Sequence, residues 1–360
     1  MTDILNEDKG RQMPGSIERT ALQLRRQVQQ IAQSYRQAQI LLTCVEVGVF
    51  EVLTGRSAAA IEVAQATGAD LRGMELLLNA ATAFGLLEKH DGLFTNTDLA
   101  NTCLSLGGAS PLARRLKIES AFYHRWGRLA EAVRAGKRPE ENLLDEQPDG
   151  WVRTFIYGLY DMARLIAPAI AEALALPENR PLRVLDVGGG HGGYSLALAQ
   201  KYPLLTATVF ELPRVVPVAR EIIENAGMSD RVAVQEGDFQ KEELGSGYDV
   251  GLVFGVLNGE PPEGRPALLH KVFAALNPGG LIVLRDFVLE PDRAGPPEAA
   301  IFALQMLLAT ESGGLDTSAD WEAWLLSAGF APSTRLTLPE WVGSSLTVSF
   351  KPAAGRSHGK

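Results

Sequence analysis

Ten residues beginning at Val184, Val-Leu-Asp-Val-Gly-Gly-Gly-His-Gly-Gly, put an apolar run, a carboxylate and a cluster of glycines into one short stretch. The run reads as a strand and residues 194–201 read as a helix, so the glycines occupy a strand-to-helix turn. Glycine there lets backbone approach a ligand closely, and the free N–H groups of the helix's first turn attract nucleotide-like groups. Gly188, Gly190 and Gly193 also satisfy the dinucleotide fingerprint G-x-G-x-x-G, which by itself does not choose between cofactors.

The acids around this turn carry more information. Asp186 stands two residues before Gly188, where a carboxylate suits the cationic amino-acid end of S-adenosylmethionine and sits badly beside a pyrophosphate. Glu211 ends the next strand-like run and is placed for ribose hydroxyls, a role common to both cofactor classes. Asp238 and Phe239 follow a third run and supply a hydrogen-bond acceptor and a ring for adenine. Each acid taken singly is also explained as a helix cap or a solvated loop residue. Together, at successive strand ends, they favour S-adenosylmethionine, with a nicotinamide dinucleotide as the alternative.

Those residues need a scaffold that aligns strand ends. Strand-like runs at 183–187, 206–210, 232–234, 250–254 and 281–284 alternate with helical stretches such as 194–201 and 215–226, the pattern of a parallel sheet covered on both faces. Runs at 334–338 and 346–350 are close enough to form an antiparallel pair at the sheet edge. In front, helical periodicity at 22–35, 38–53, 58–66 and 71–84 precedes two short strand-like pieces around Asp91-Gly92, which together predict a winged helix. Its second and third helices hold few basic residues, so packing and dimerisation fit it better than DNA reading. Two helices, 112–135 and 151–174, connect the halves through the charged stretch 136–150. They carry His124, Trp126, Trp151, Phe155, Tyr160 and Met162, core residues for the most part, with some free to line a pocket.

Composition narrows the partners. The 360 residues are 46% hydrophobic and 21% charged, enough apolar content for a core in each of two domains. A net charge of -9 offers nucleic acid no general attraction. Cys44 and Cys103 lie far apart, and the five histidines are scattered, so neither a disulfide framework nor a metal site is expected. His191 in the glycine turn reads as a solvent-facing loop residue. No secretory signal or membrane span is evident, and a cytoplasmic location is expected. The expected limits are a flexible N-terminus at 1–15, a dimerisation domain at 16–110, connecting helices at 111–178, a catalytic domain at 179–352 and a flexible tail at 353–360.

At this level of detail the chain resembles the small-molecule O-methyltransferases that include plant phenolic, hydroxyindole and bacterial natural-product enzymes. The matching pieces run in order: Val-Glu-Val-Gly-Val-Phe from Val45, Phe-Gly-Leu-Leu from Phe84, the glycine turn, Phe-Glu-Leu-Pro from Phe210, Gly-Asp-Phe from Gly237, Leu-Asn-Pro-Gly-Gly from Leu276, and Ala-Gly-Phe from Ala328. The resemblance implies a Rossmann-like methyltransferase fold, a mostly parallel seven-stranded sheet with an antiparallel edge strand, behind a mainly helical winged-helix-like domain. It implies a homodimer and a small-molecule substrate. Cofactor contacts fall on Gly188, Gly190, Glu211, Leu212, Asp238 and Phe239 beside Asp186, and pocket walls on Phe155, Tyr160, Phe302 and Met306.

The sequence departs from the family in its chemistry. The family's histidine base falls on Asn258, and the acids that flank that histidine fall on Asp286 and Asp316. An amide cannot take a proton at neutral pH, although it can orient a substrate oxygen. Methyl transfer then rests on in-line positioning with an acceptor that is already acidic, or on another base such as His124 or Asp286. The expected function is therefore a methyltransferase acting on oxygen, or carbon, of a small, largely apolar metabolite. A non-methylating enzyme on the same fold and a winged-helix DNA regulator are the alternatives.

Overall fold

Residues 16–139, 147–342 and 345–353 are described by the computed structural model. The expected flexible N-terminus, most of the tail and residues 140–146 of the connecting stretch lie outside them. The described chain divides into two units at Ala100/Asn101.

In the first unit an amphipathic helix α1 (Ser16–Gln33) leads into α2 (Tyr35–Val47) and α3 (Val49–Val52). The sequence pattern predicts one helix over 38–53. Gly48, at φ 88°, ends α2 in a left-handed cap whose amide donates to Cys44, and the chain restarts as α3. Next come β1 (Ala58–Ala59), α4 (Ala60–Thr67) and α5 (Leu71–Ala83), the last capped by the Asp70 carboxylate. Strands β2 (Leu87–His90) and β3 (Leu93–Asn96) pair through a turn in which Asp91 and Gly92 both have positive φ, as a tight hairpin turn requires. The two-residue β1, too short to register in the sequence pattern, pairs with β3. Phe50, Val63, Met74, Leu78 and Phe94 form the core, while Leu24, Val28 and Ile31 on α1 stay exposed.

The second unit opens with α6 (Ala113–Trp126) and α7 (Leu129–Ala135), separated at Gly127 and Arg128 where one helix is predicted, and the long α8 (Asp149–Ala173). Then strands and helices alternate: β4 (Leu182–Val187), α9 (Gly193–Lys201), β5 (Leu205–Glu211), α10 (Val216–Asn225), β6 (Val232–Glu236), β7 (Tyr248–Phe254), α11 (Gly264–Ala275) and β8 (Leu276–Arg285). Helices α12 (Pro297–Ala309) and α13 (Ser318–Ala328) precede β9 (Thr334–Thr337) and β10 (Ser345–Phe350). The sheet order is β6-β5-β4-β7-β8-β10-β9, parallel from β6 to β8, with β10 antiparallel to both its neighbours.

Strand alternation sends successive side chains to opposite faces. On one face Val184, Val209, Leu252 and Val283 pack with residues of α8, α9 and α10; on the other Leu185, Val187, Val253 and Leu284 pack with residues of α11 and α13. Both faces are thus covered, which explains why the central strands are nearly all apolar. The order reverses around β4, since β5 follows on one side and β7 on the other. In open sheets of this kind the crevice beyond the strand ends at that reversal is where ligands bind.

Candidate active site

The glycine turn opens that crevice. Gly188, Gly190 and Gly192 have φ of 59°, 52° and 67°, which other residues adopt only under strain. At Gly188 a β-carbon would lie 2.8 Å from Val256 and 3.8 Å from the Phe239 ring, and at Gly189 one would lie 2.6 Å from the Asp186 carboxyl carbon. Phe239, Val256 and Asp186 therefore close around the turn and leave no room for side chains there.

Asp186 is buried. Its Oδ2 accepts from the Ser195 hydroxyl at 2.7 Å, and its Oδ1 has no partner among the described residues. Burial pushes its pKa up to about 7 and the neighbouring Glu211 charge adds to this, while the Ser195 bond opposes it. Glu211, also buried and raised by burial, accepts from the Gly190 amide at 2.9 Å and the Leu212 amide at 2.7 Å, so it fastens the turn to the end of β5. Asp238 accepts from the Gln240 amide at 2.9 Å and pairs with Lys241 at 2.8 Å, and that lysine holds its carboxyl below the usual range. All three acids sit at strand ends on one side of the sheet reversal.

His191 corrects the sequence reading. It is buried, not solvent-facing, with its ring between Tyr160 and Tyr194, and its Nδ1 accepts from the Gly193 amide at 2.8 Å. Burial lowers its pKa to about 4, so the ring is neutral and carries its proton on Nε2.

Across the reversal a second group forms at the ends of β7 and β8. Asn258 lies in a 3-10 turn, Leu257–Gly259. Its Nδ2 donates to Asp286 Oδ1 at 2.7 Å and its backbone amide to Oδ2 at 3.3 Å. Its carbonyl accepts from the Gly314 amide at 2.9 Å. Because the carboxylate is the acceptor, the side-chain amide is oriented with Oδ1 turned away from Asp286. Asp286 also accepts from the Phe287 amide, and burial raises its pKa to about 6 against the pull of Asn258.

Asp316 pairs with buried Arg265 at 2.6 Å. The same guanidinium donates through Nε to the carbonyls of Leu257 and Glu260 at 3.1 and 3.0 Å, so Arg265 braces the turn that carries Asn258 from behind. Arg265 and Ser195 escaped the sequence reading because an arginine amid an apolar helix and a serine in a helix's first turn have many ordinary explanations.

Among the expected pocket residues, Phe155 stacks on Trp151, Tyr160 lies against His191, and Phe302 packs on Phe287 at 4.6 Å between ring centres. Met306 is buried on α12, four residues after Phe302. His124 and Met162 are exposed on α6 and α8, since helical periodicity turned them outward, and neither joins the groups described above.

A family model of the O-methyltransferase domain matches residues 142–331, and one of the O-methyltransferase dimerisation domain matches residues 29–105. The 3-hydroxy-5-methyl-1-naphthoate 3-O-methyltransferase of Streptomyces sahachiroi is 33% identical over 300 residues, covering 81% of this chain and 85% of its own length. The acetylserotonin O-methyltransferase of Bos taurus is 32% identical over 326 residues, covering 84% of this chain and 91% of its own. Human N-acetylserotonin methyltransferase, solved in complex with S-adenosylmethionine, superposes with a TM-score of 0.81 at 27% identity, covering 94% of this chain and all of that one. The chain belongs to the O-methyltransferase family. It is a methyltransferase dependent on S-adenosylmethionine, and the choice of cofactor that the glycine motif left open is thereby made.

The residues present fit that cofactor. A buried carboxylate oxygen with no partner among the described residues, Oδ1 of Asp186, is a costly feature unless a cation or donor completes it, and the backbone of the glycine turn lies close against that carboxyl group. Among the described residues no helix is long and apolar enough to cross a membrane.

Proposed function

We propose that this enzyme methylates a hydroxyl oxygen of a small, largely apolar metabolite, and that Asn258 and Asp286 orient the acceptor in place of a histidine base. The observation that carries this reading is the Asn258–Asp286 bond at 2.7 Å. It spends the donor end of the amide on Asp286 and leaves Oδ1 to accept from the acceptor's O–H. An amide oxygen holds that hydroxyl in line but cannot remove its proton. The proton therefore leaves by the acceptor's own acidity, which selects phenols and enols over alcohols. Asp286 accepts three N–H bonds, two at Oδ1 and one at Oδ2, which commits it to holding Asn258 in place. Arg265 and Asp316 brace the Asn258 turn.

Asp186, Gly188, Gly190, Glu211, Leu212, Asp238 and Phe239 would hold S-adenosylmethionine, which supplies an electrophilic methyl group on a sulfonium. Asp186 meets the cationic amino-acid end, while Glu211 keeps the turn in place and uses its remaining lone pairs on the ribose. Phe239 offers a ring beside Gly188 for the adenine, with Asp238 next to it. Phe155, Tyr160, Phe302 and Met306 form the acceptor's apolar walls. Residues 16–110 make the homodimer: the dimerisation-domain match covers most of them, and Leu24, Val28 and Ile31 of α1 offer an apolar stripe.

The test is transfer of label from methyl-labelled S-adenosylmethionine to a panel of naphthols and enols. Label in an acidic acceptor, with aliphatic alcohols of the same size left unlabelled, is the expected result. Binding of acceptors without label transfer to any of them would overturn the reading.

A further inference from the structure

Gln305 is the one polar residue in the stretch 299–309 of α12, among alanine, leucine, methionine and aromatic neighbours. It is 8% exposed. From the end of α6 the Trp126 indole donates to its Oε1 at 2.6 Å. An indole nitrogen is a donor only, so the oxygen of the amide must face it and the orientation is fixed. The Nε2 end, with two N–H groups, is then enclosed with no hydrogen-bond partner among the described residues. A buried donor without an acceptor is destabilising, and leucine, present two and three residues further on, would avoid that cost.

The position relates this unmet donor to the acceptor site. Gln305 follows Phe302 by three residues, which places both on one face of α12. Phe302 packs on Phe287, the residue after Asp286, and the strap that leaves α12 returns to Asn258 through the Gly314 amide. Gln305 thus lies one helical turn from the ring next to the Asn258–Asp286 pair.

We propose that Gln305 determines acceptor specificity: its Nε2 donates to a carbonyl oxygen that the substrate carries on its ring system, apart from the hydroxyl to be methylated, as the substrate parts the apolar side chains enclosing it. The substrate class is then a planar phenol or enol with a second oxygen that only accepts, such as a ketone, quinone or amide. Trp126 is a positioning residue that acts through Gln305 by preventing the amide from turning over. The proposal rests on the methyltransferase reading of the site.

Binding to protein loaded with S-adenosylhomocysteine tests it free of differences in acceptor acidity. The probes are isomeric acetyl-2-naphthols, each beside its ethyl counterpart of the same shape, at a pH where both are neutral. At least one acetyl isomer is expected to bind about tenfold more tightly than its ethyl partner, the factor associated with satisfying a buried donor. Gln305→Leu should bring that ratio to near one and leave affinity for S-adenosylhomocysteine unchanged. Trp126→Phe should lower the ratio only in part. The side-chain amide pair that disappears from the nitrogen–proton spectrum in Gln305→Leu should shift on adding the preferred acetyl isomer to the wild type. Absence of a preference across the panel, or a preference that survives in Gln305→Leu, overturns the proposal. Failure of the wild type to bind S-adenosylhomocysteine would instead overturn the methyltransferase reading, and the proposal with it.

Discussion

Two sets of carboxylates stand on either side of the sheet reversal, Asp186, Glu211 and Asp238 at strand ends and Asp286 and Asp316 in the chain that follows β8, and they differ in what they have left to give. On the β4–β6 side Asp186 keeps a buried oxygen with no partner, and Glu211 and Asp238 accept mainly from backbone amides and one exposed lysine. On the β7–β8 side Asp286 is occupied by Asn258 and Phe287, and Asp316 by Arg265. An open buried oxygen is what the proposed contact with a charged ligand needs, whereas on the other side Asp286 is engaged with a neutral amide, which suits the proposed acceptor that arrives with its own reactivity.

The largest effect expected from breaking this contrast is at Arg265. Arg265→Met leaves Asp316 buried without its cation, and loss of one partner from such a pair costs about 3–5 kcal/mol. The urea midpoint should fall accordingly, and the double variant Arg265→Met, Asp316→Leu should recover most of the loss. A small cost for the single change would mean that the acceptor side is not braced this way.

Next comes Asp186→Asn, which should weaken S-adenosylhomocysteine binding by roughly tenfold to a hundredfold, equivalent to about 1.5–3 kcal/mol for a bond to a charged group. The sign of its pH dependence follows from a carboxyl raised to about 7. Folding is favoured while the group is protonated, so this contribution is full below the unfolded value near 3.8 and is lost as pH rises through about 7. A cationic ligand restores it. The thermal shift produced by S-adenosylhomocysteine should therefore be larger at pH 8 than at pH 6 in the wild type and nearly flat in Asp186→Asn.

Asn258→Ala should lower kcat by about tenfold, the order of one lost orienting bond. Asn258→His should extend turnover to less acidic hydroxyls, because a ring nitrogen can take the proton that an amide cannot. Equal rates across acceptor acidity in the wild type would defeat the positioning reading.

The smallest effect expected is a fall in kcat/KM as pH drops through about 6, where Asp286 gains a proton and one of its oxygens stops accepting. Asp286→Asn should remove this inflection and retain the one set by the acceptor.

Much of the catalytic unit was legible because its signals are local. Short apolar runs gave the sheet strands to within a few residues, apart from β8, which begins five residues before its predicted run. The glycines marked the turn, and the acids at strand ends lie where the crevice opens. The break between α6 and α7 escapes the pattern because helical periodicity carries on past Gly127 in the sequence, while the backbone leaves the helix at Arg128. His191 was misread because its burial depends on Tyr160, which comes from α8 and not from its own loop.

Residue types alone determined that a glycine turn stands among acids at three strand ends. Tertiary structure alone decided which of those acids remain available. Arg265 reaches Asp316 across 51 positions, and Trp126 reaches Gln305 across 179. Hydrogen-bonding capacity belongs to a side chain, but whether it is spent depends on neighbours that only the folded chain brings within 3 Å, and no spacing along the sequence encodes that choice.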